Sequence, residues 1–122
     1  MKHKYLQELF PNDELPFPFR ERGYAKFDER DTYNLDFTLT AWLYERLRYF
    51  QDEVSKDIDL EFYKFNIDGE ELTQIECINK MVEDCKTIML EDSFLTEDRK
   101  KMDIAKDDLF KILSKVYWAM WW

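Results

Sequence analysis

The sequence predicts an all-α domain, a small bundle of three long helices with an N-terminal arm. Three observations carry that prediction. The chain has only two glycines and three prolines in 122 residues, where sheet-rich folds and phosphate-binding loops spend many more on their turns. Three long segments repeat their apolar residues at helical spacing. One of them opens on a complete helix-capping signature. Length fits a single domain over residues 1–122, and the apolar content of 45%, with 17% aromatic, supplies a core.

Residues 1–30 read as the arm. "MKHKYLQELF" makes a short helix that must stop at Pro11, and Pro16 and Pro18 then force an extended path. Phe17, Phe19 and Tyr24 are the residues by which such an arm would press onto the body.

The first long helix is expected over 31–54, with Asp31 as its N-cap. Taking Leu35 as zero, Leu39, Trp42, Leu43, Leu47, Tyr49 and Phe50 fall between about −40° and +120° and form the predicted core stripe. Arg46 and Asp36 are polar residues inside that stripe. Phe37 and Tyr44 fall near ~190°, on the expected wet face, and so become candidate partner contacts.

Over 57–67 the pattern changes. Ile58, Leu60 and Phe62 alternate with acids, which argues for an extended segment. Asp68-Gly69 suits a hairpin turn, yet the residues beyond it read as helix, so a second strand is missing. A helix continued from Gln51 is the competing reading.

The second long helix, 73–90, begins at the capping box Thr73…Glu76. Ile75, Cys77, Ile78, Met81, Val82, Cys85, Ile88 and Met89 fill an arc of ~160° on it. The third, 97–121, is capped by Thr96 and has an inner stripe of Met102, Ala105, Leu109, Ile112, Leu113, Val116 and Met120. After Val116 it becomes apolar all round. Three of the four tryptophans, Trp118, Trp121 and Trp122, stand within the last five residues. Two readings are open there: the arm around Phe17–Tyr24 folds back over them, or they form a binding surface, since tryptophan leads the residue types at interface hot spots.

The net charge of −9 is unevenly spread. Residues 1–50 carry nine acids and eight bases, residues 51–99 fifteen acids and five bases, and residues 100–122 three acids and five bases. Such a chain is not built to dock directly on a phosphate backbone, nor on anionic lipid. Its acidic middle, with Asp57, Asp59 and Glu61 close together, suits a basic protein surface.

No catalytic, cofactor-binding or metal-ligating set stands out. His3 is the single histidine and lies at the chain end. Cys77 and Cys85, eight residues apart on one helix, are separated by ~12 Å along its axis, beyond disulfide reach, and read as small buried hydrophobes. There is no signal-peptide pattern and no run of about 20 apolar residues, so a cytosolic setting is expected.

"DTYNLDFTLTAWLYERLRYF", "LTQIECINKMVEDC" and "DLFKILSKVYWAMWW" together resemble a group of small uncharacterised proteins of bacteriophages and related mobile elements. The group carries a D-x-[WY]-N-L-D helix start, here Asp31 to Asp36, and a C-terminal LF…W helix, here Leu109-Phe110…Trp118. The resemblance implies phage origin and an intracellular life, with no activity, cofactor or catalytic residue attached. The function expected from all this is a non-enzymatic protein-interaction module. In its sharper form it is an acidic inhibitor that occludes a host nucleic-acid-handling or defence protein. The alternative is an assembly protein that oligomerises through its tryptophan end or an unpaired strand. Trp118, Trp121, Trp122, Phe37, Tyr44, Asp57, Asp59 and Glu61 are the candidate partner-binding residues.

Overall fold

A computed structural model describes residues 4–11 and 34–121. Among them the protein is mostly helical: α1 (Lys4–Leu9), α2 (Leu35–Asp52), α3 (Gln74–Leu90) and α4 (Thr96–Val116), with a hairpin of β1 (Lys64–Ile67) and β2 (Glu70–Thr73) before α3. Short 3-10 turns follow α2 at Val54–Lys56 and α4 at Tyr117–Ala119.

The architecture corrects the expected three-helix bundle. α3 is the central helix, packed by α2 on one side and α4 on the other, while α2 and α4 do not close on each other. The wide apolar arc of α3 explains this arrangement. Cys77, Ile78, Met81, Val82, Cys85 and Met89 are all buried, so two opposed flanks of one helix are covered at once. Helix α4 meets it with Ala105, Leu109, Ile112 and Val116, the centre of the predicted stripe.

Helix α2 is rotated from its predicted orientation. Leu35, Leu39, Trp42 and Tyr49, expected in the core, are 56%, 47%, 51% and 43% exposed, while Tyr44, expected outside, is fully buried with Ala41 and Leu47. Apolar residues surround this helix, so the wheel alone does not choose a side. On the buried face two polar side chains find hydrogen-bond partners. The Tyr44 hydroxyl accepts a hydrogen bond from Arg48 Nη1 at 3.1 Å, and the Thr40 hydroxyl donates to the Asp36 carbonyl at 2.8 Å. Arg48 also lies over the Tyr5 ring at 4.7 Å and within 3.8 Å of Glu8, which fastens α1 to the same side. Helix α2 starts after Asn34, whose φ of 48° is left-handed. The proposed cap Asp31 and the aromatic arm lie outside the described residues.

The missing second strand is present. Lys64 pairs with Thr73 and Ile67 with Glu70, antiparallel. Asp68 (φ 53°) and Gly69 (φ 85°) make the two-residue turn between them, both left-handed as such a hairpin requires. The Asn66 side chain steadies the turn by accepting from Gly69 N at 2.8 Å. Residues 58–62, which alternate in sequence, are not strand. They are held by Ile75 N donating to the Leu60 carbonyl at 2.9 Å.

Thr73 ends β2 and caps α3 in the same stroke. Its hydroxyl accepts from Glu76 N at 3.3 Å, and its own N–H donates to Glu76 Oε1 at 3.1 Å. Losing the hydroxyl strands a helix amide, so Thr73→Ala is expected to lower stability by about 1 kcal/mol in a denaturant titration, with Thr73→Ser near wild type. Thr96 does not cap α4. It is the first helical residue, behind Leu95.

Candidate functional site

Because α2 and α4 flank α3 and make few contacts with each other, a cleft opens between their C-terminal halves. Leu43, Leu47 and Phe50 of α2 form one wall, with Leu113 of α4 and Met120 opposite. Trp42 and Arg46 make one lip, and Tyr117, Trp118 and Trp121 the other. The cleft has a volume of about 530 Å³ and is lined mostly by apolar atoms. Trp118 is 88% and Trp121 67% exposed. That is a large apolar surface to leave in water, of the kind that marks contact sites.

The lips are ordered by local contacts. Arg46 lies with its guanidinium 4.1 Å from the Trp42 ring centroid, a cation–π stack that holds both side chains flat. It also donates to the Trp42 carbonyl at 3.4 Å. Trp118 meets Tyr117 edge-to-face at 5.1 Å. The chain passes from α to 3-10 geometry after Val116, and that change carries Tyr117 and Trp118 to the surface. Gln74, itself buried, fixes that turn by donating from Nε2 to the Ala119 carbonyl at 3.0 Å.

Gln74 also joins the tryptophan turn to the acidic segment. Its backbone N–H donates to the Tyr63 carbonyl at 3.1 Å, and its neighbour Ile75 donates to Leu60. Asp57, Asp59 and Glu61, all exposed, therefore lie at the same end of the molecule as Trp118 and Trp121. Asp59 is fixed by accepting from Glu61 N at 2.9 Å.

Of the candidate partner residues, five are thus brought to one end. Two are not. Tyr44 is a core residue, and Phe37 is half-buried against Phe10, ring centroids 6.0 Å apart. Both serve the seat of α1 on α2. Trp122 lies outside the described residues. The residues that periodicity did not select as site are Trp42, Arg46, Phe50 and Tyr117. The signal for the first two was the arginine set inside an apolar stripe, one helical turn from a tryptophan.

The remaining titratable chemistry lies away from the cleft. Asp84 of α3 faces Asp108 of α4, and its carboxyl is pushed up to about 8 by burial, then by hydrogen bonding to Asp108 and that residue's charge. Burial likewise drives the Cys85 thiol up to about 12 and raises that of Cys77, which keeps both thiols protonated and unreactive. Among the described residues no three His, Cys, Asp or Glu side chains converge as a metal cage, and no helix is long and apolar enough to cross a membrane. Comparison with protein-family models, curated proteins and solved structures found no match.

Proposed function

We propose that the protein acts by binding rather than catalysis, as a protein-interaction module. Its docking site is the aromatic cleft between α2 and α4, and its occupant is a basic protein that inserts an apolar anchor. The observation that carries this reading is the placement of two largely exposed tryptophans beside an apolar cleft and next to an acidic segment, joined through Gln74. Deep apolar seats with aromatic lips are where binding energy concentrates. Acids at the rim select a positively charged partner and hasten its approach. The sharper form, an intracellular phage inhibitor that occludes a host nucleic-acid-handling or defence protein, rests on that charge selection together with the family resemblance. Covering a basic groove is how an acidic protein of this size displaces nucleic acid.

The test is capture from host lysate at physiological salt, followed by calorimetry with the purified partner. A basic protein is expected to bind the wild type. A Trp118→Ala/Trp121→Ala variant, still folded, is expected to bind it about 100-fold more weakly. Reversing Asp57, Asp59 and Glu61 to lysine is expected to slow association and remove its salt dependence. Equal binding by the tryptophan variant contradicts the assignment of the cleft.

The alternative, assembly through the tryptophan-rich end or a strand, draws less support on the strand side, because β1 pairs with β2.

A further inference from the structure

The two walls of the cleft share one spacing. Leu43, Leu47 and Phe50 follow one another along α2 at steps of four and three. Leu113, Tyr117 and Met120 do the same along the end of α4 and the 3-10 turn after it. Steps of four and three keep side chains on one face of a helix, and over seven residues the α2 row is ~10 Å long. Leu47 is buried, and Leu43, Phe50, Leu113 and Met120 are half-buried, while Trp118 and Trp121 stand out beside them. The cleft is thus a groove with a seated apolar floor and raised aromatic sides.

Volume, lining and charge together restrict what fits it. A cavity of about 150 Å³ holds a benzene ring, so the groove, at about 530 Å³, has room for about three large side chains rather than one. An extended segment lowered among mostly apolar atoms would lose water from its N–H and C=O groups and find few partners for them. A helix bonds its own backbone and delivers side chains three and four residues apart into a groove of this length. Asp59 and Glu61 are exposed at the same end of the molecule, so basic residues suit the side of the occupant that stays in water.

We propose that the cleft takes one amphipathic α-helix from the partner, with apolar residues three and four apart facing in and lysines or arginines facing out. This inference rests on the reading of the cleft as a docking site and adds the shape and charge of what docks there. The incoming helix lies between the rows of α2 and α4, flanked by Trp118 and Trp121.

The experiment uses the full chain and three synthetic peptides of ~18 residues, long enough to form helix. The first combines leucine, alanine and lysine with its leucines three and four apart. The second has the same composition with its leucines in alternation, the pattern of a strand. The third repeats the first with glutamate in place of lysine. Tryptophan emission and far-UV circular dichroism are followed at physiological salt. The first peptide is expected to bind in the micromolar range, to gain helix and to shift the emission to the blue. The second and third are each expected to bind at least about tenfold more weakly. The Trp118→Ala/Trp121→Ala chain, folded by circular dichroism, is expected to lose at least about tenfold for the first peptide. Equal or tighter binding of the alternating peptide overturns the helical occupant and leaves the cleft reading standing. Equal binding of the glutamate peptide overturns its basic face. Failure of all three overturns the proposal, whether residues 12–33 of the same chain or nothing at all fills the groove. The cleft reading then stands or falls separately, on whether the tryptophan variant loses the partner captured from lysate. Binding of the first peptide that ignores the tryptophan variant contradicts both.

Discussion

Tyr44→Ala is expected to lower the stability of the protein by about 3–5 kcal/mol, the range for removing a buried aromatic ring. The ring is fully buried among the residues of the common core. Its removal leaves a cavity in that core and takes from Arg48 a hydrogen-bond acceptor at 3.1 Å. Tyr44→Phe keeps the volume and loses only that bond, so about 1 kcal/mol is expected. Trp118→Ala is the matched control. Its side chain is 88% exposed, and a change within about 0.5 kcal/mol is expected. Chemical denaturation of the three variants reads the contrast. A costly Trp118→Ala with a harmless Tyr44→Ala would return α2 to the orientation its periodicity suggested.

The second large effect is a pH dependence seated between α3 and α4. Asp84 Oδ2 is buried and finds no donor among the described residues, so an ionised Asp84 is a stranded charge. A proton on Asp84 supplies the donor for its bond to Asp108. The folded-state value of about 8 stands well above the ordinary 3.8. Between those two values the folded state binds more protons than the unfolded chain, and stability falls as pH rises through that window. Asp84→Asn keeps the shape, supplies a permanent N–H donor and removes the slope. It is expected to stabilise the protein by about 1–3 kcal/mol at pH 8, less than the full shift implies because the pair is partly solvated, and by little at pH 4. Thermal melts of wild type and variant across pH 4–9 measure this directly. Parallel curves would dismiss the pair as a titrating contact.

How much was legible in the sequence follows from how many demands each residue meets. Helices α3 and α4 were readable because one face of each does one job: the apolar arc of α3 and the Ala105–Val116 stripe of α4 are buried as their spacing requires. The capping box was readable for the same reason, being local. Helix α2 was not, because it serves the core, the seat of α1, the cleft and an open face at once. Leu35, Leu39, Trp42 and Tyr49 have the spacing of a core stripe and are left outside. Strand β2 was hidden by double use, as Glu70–Thr73 pair with β1 while the same stretch announces the helix. Trp118 and Trp121 were found by composition. The 3-10 turn at Tyr117, and the Gln74 side chain that fixes it, are tertiary features without a local signal.

The central claim is that the aromatic lips of the cleft stand open in the free protein, ready for a partner. Collisional quenching of tryptophan fluorescence by acrylamide tests it most directly. Emission close to that of tryptophan in water and strongly quenched in the wild type, with the quenchable part reduced in Trp118→Ala/Trp121→Ala, which retains Trp42 and Trp122, is the predicted result. Blue-shifted emission that resists the quencher until the protein is denatured would show the lips already covered within one chain, and would contradict the account.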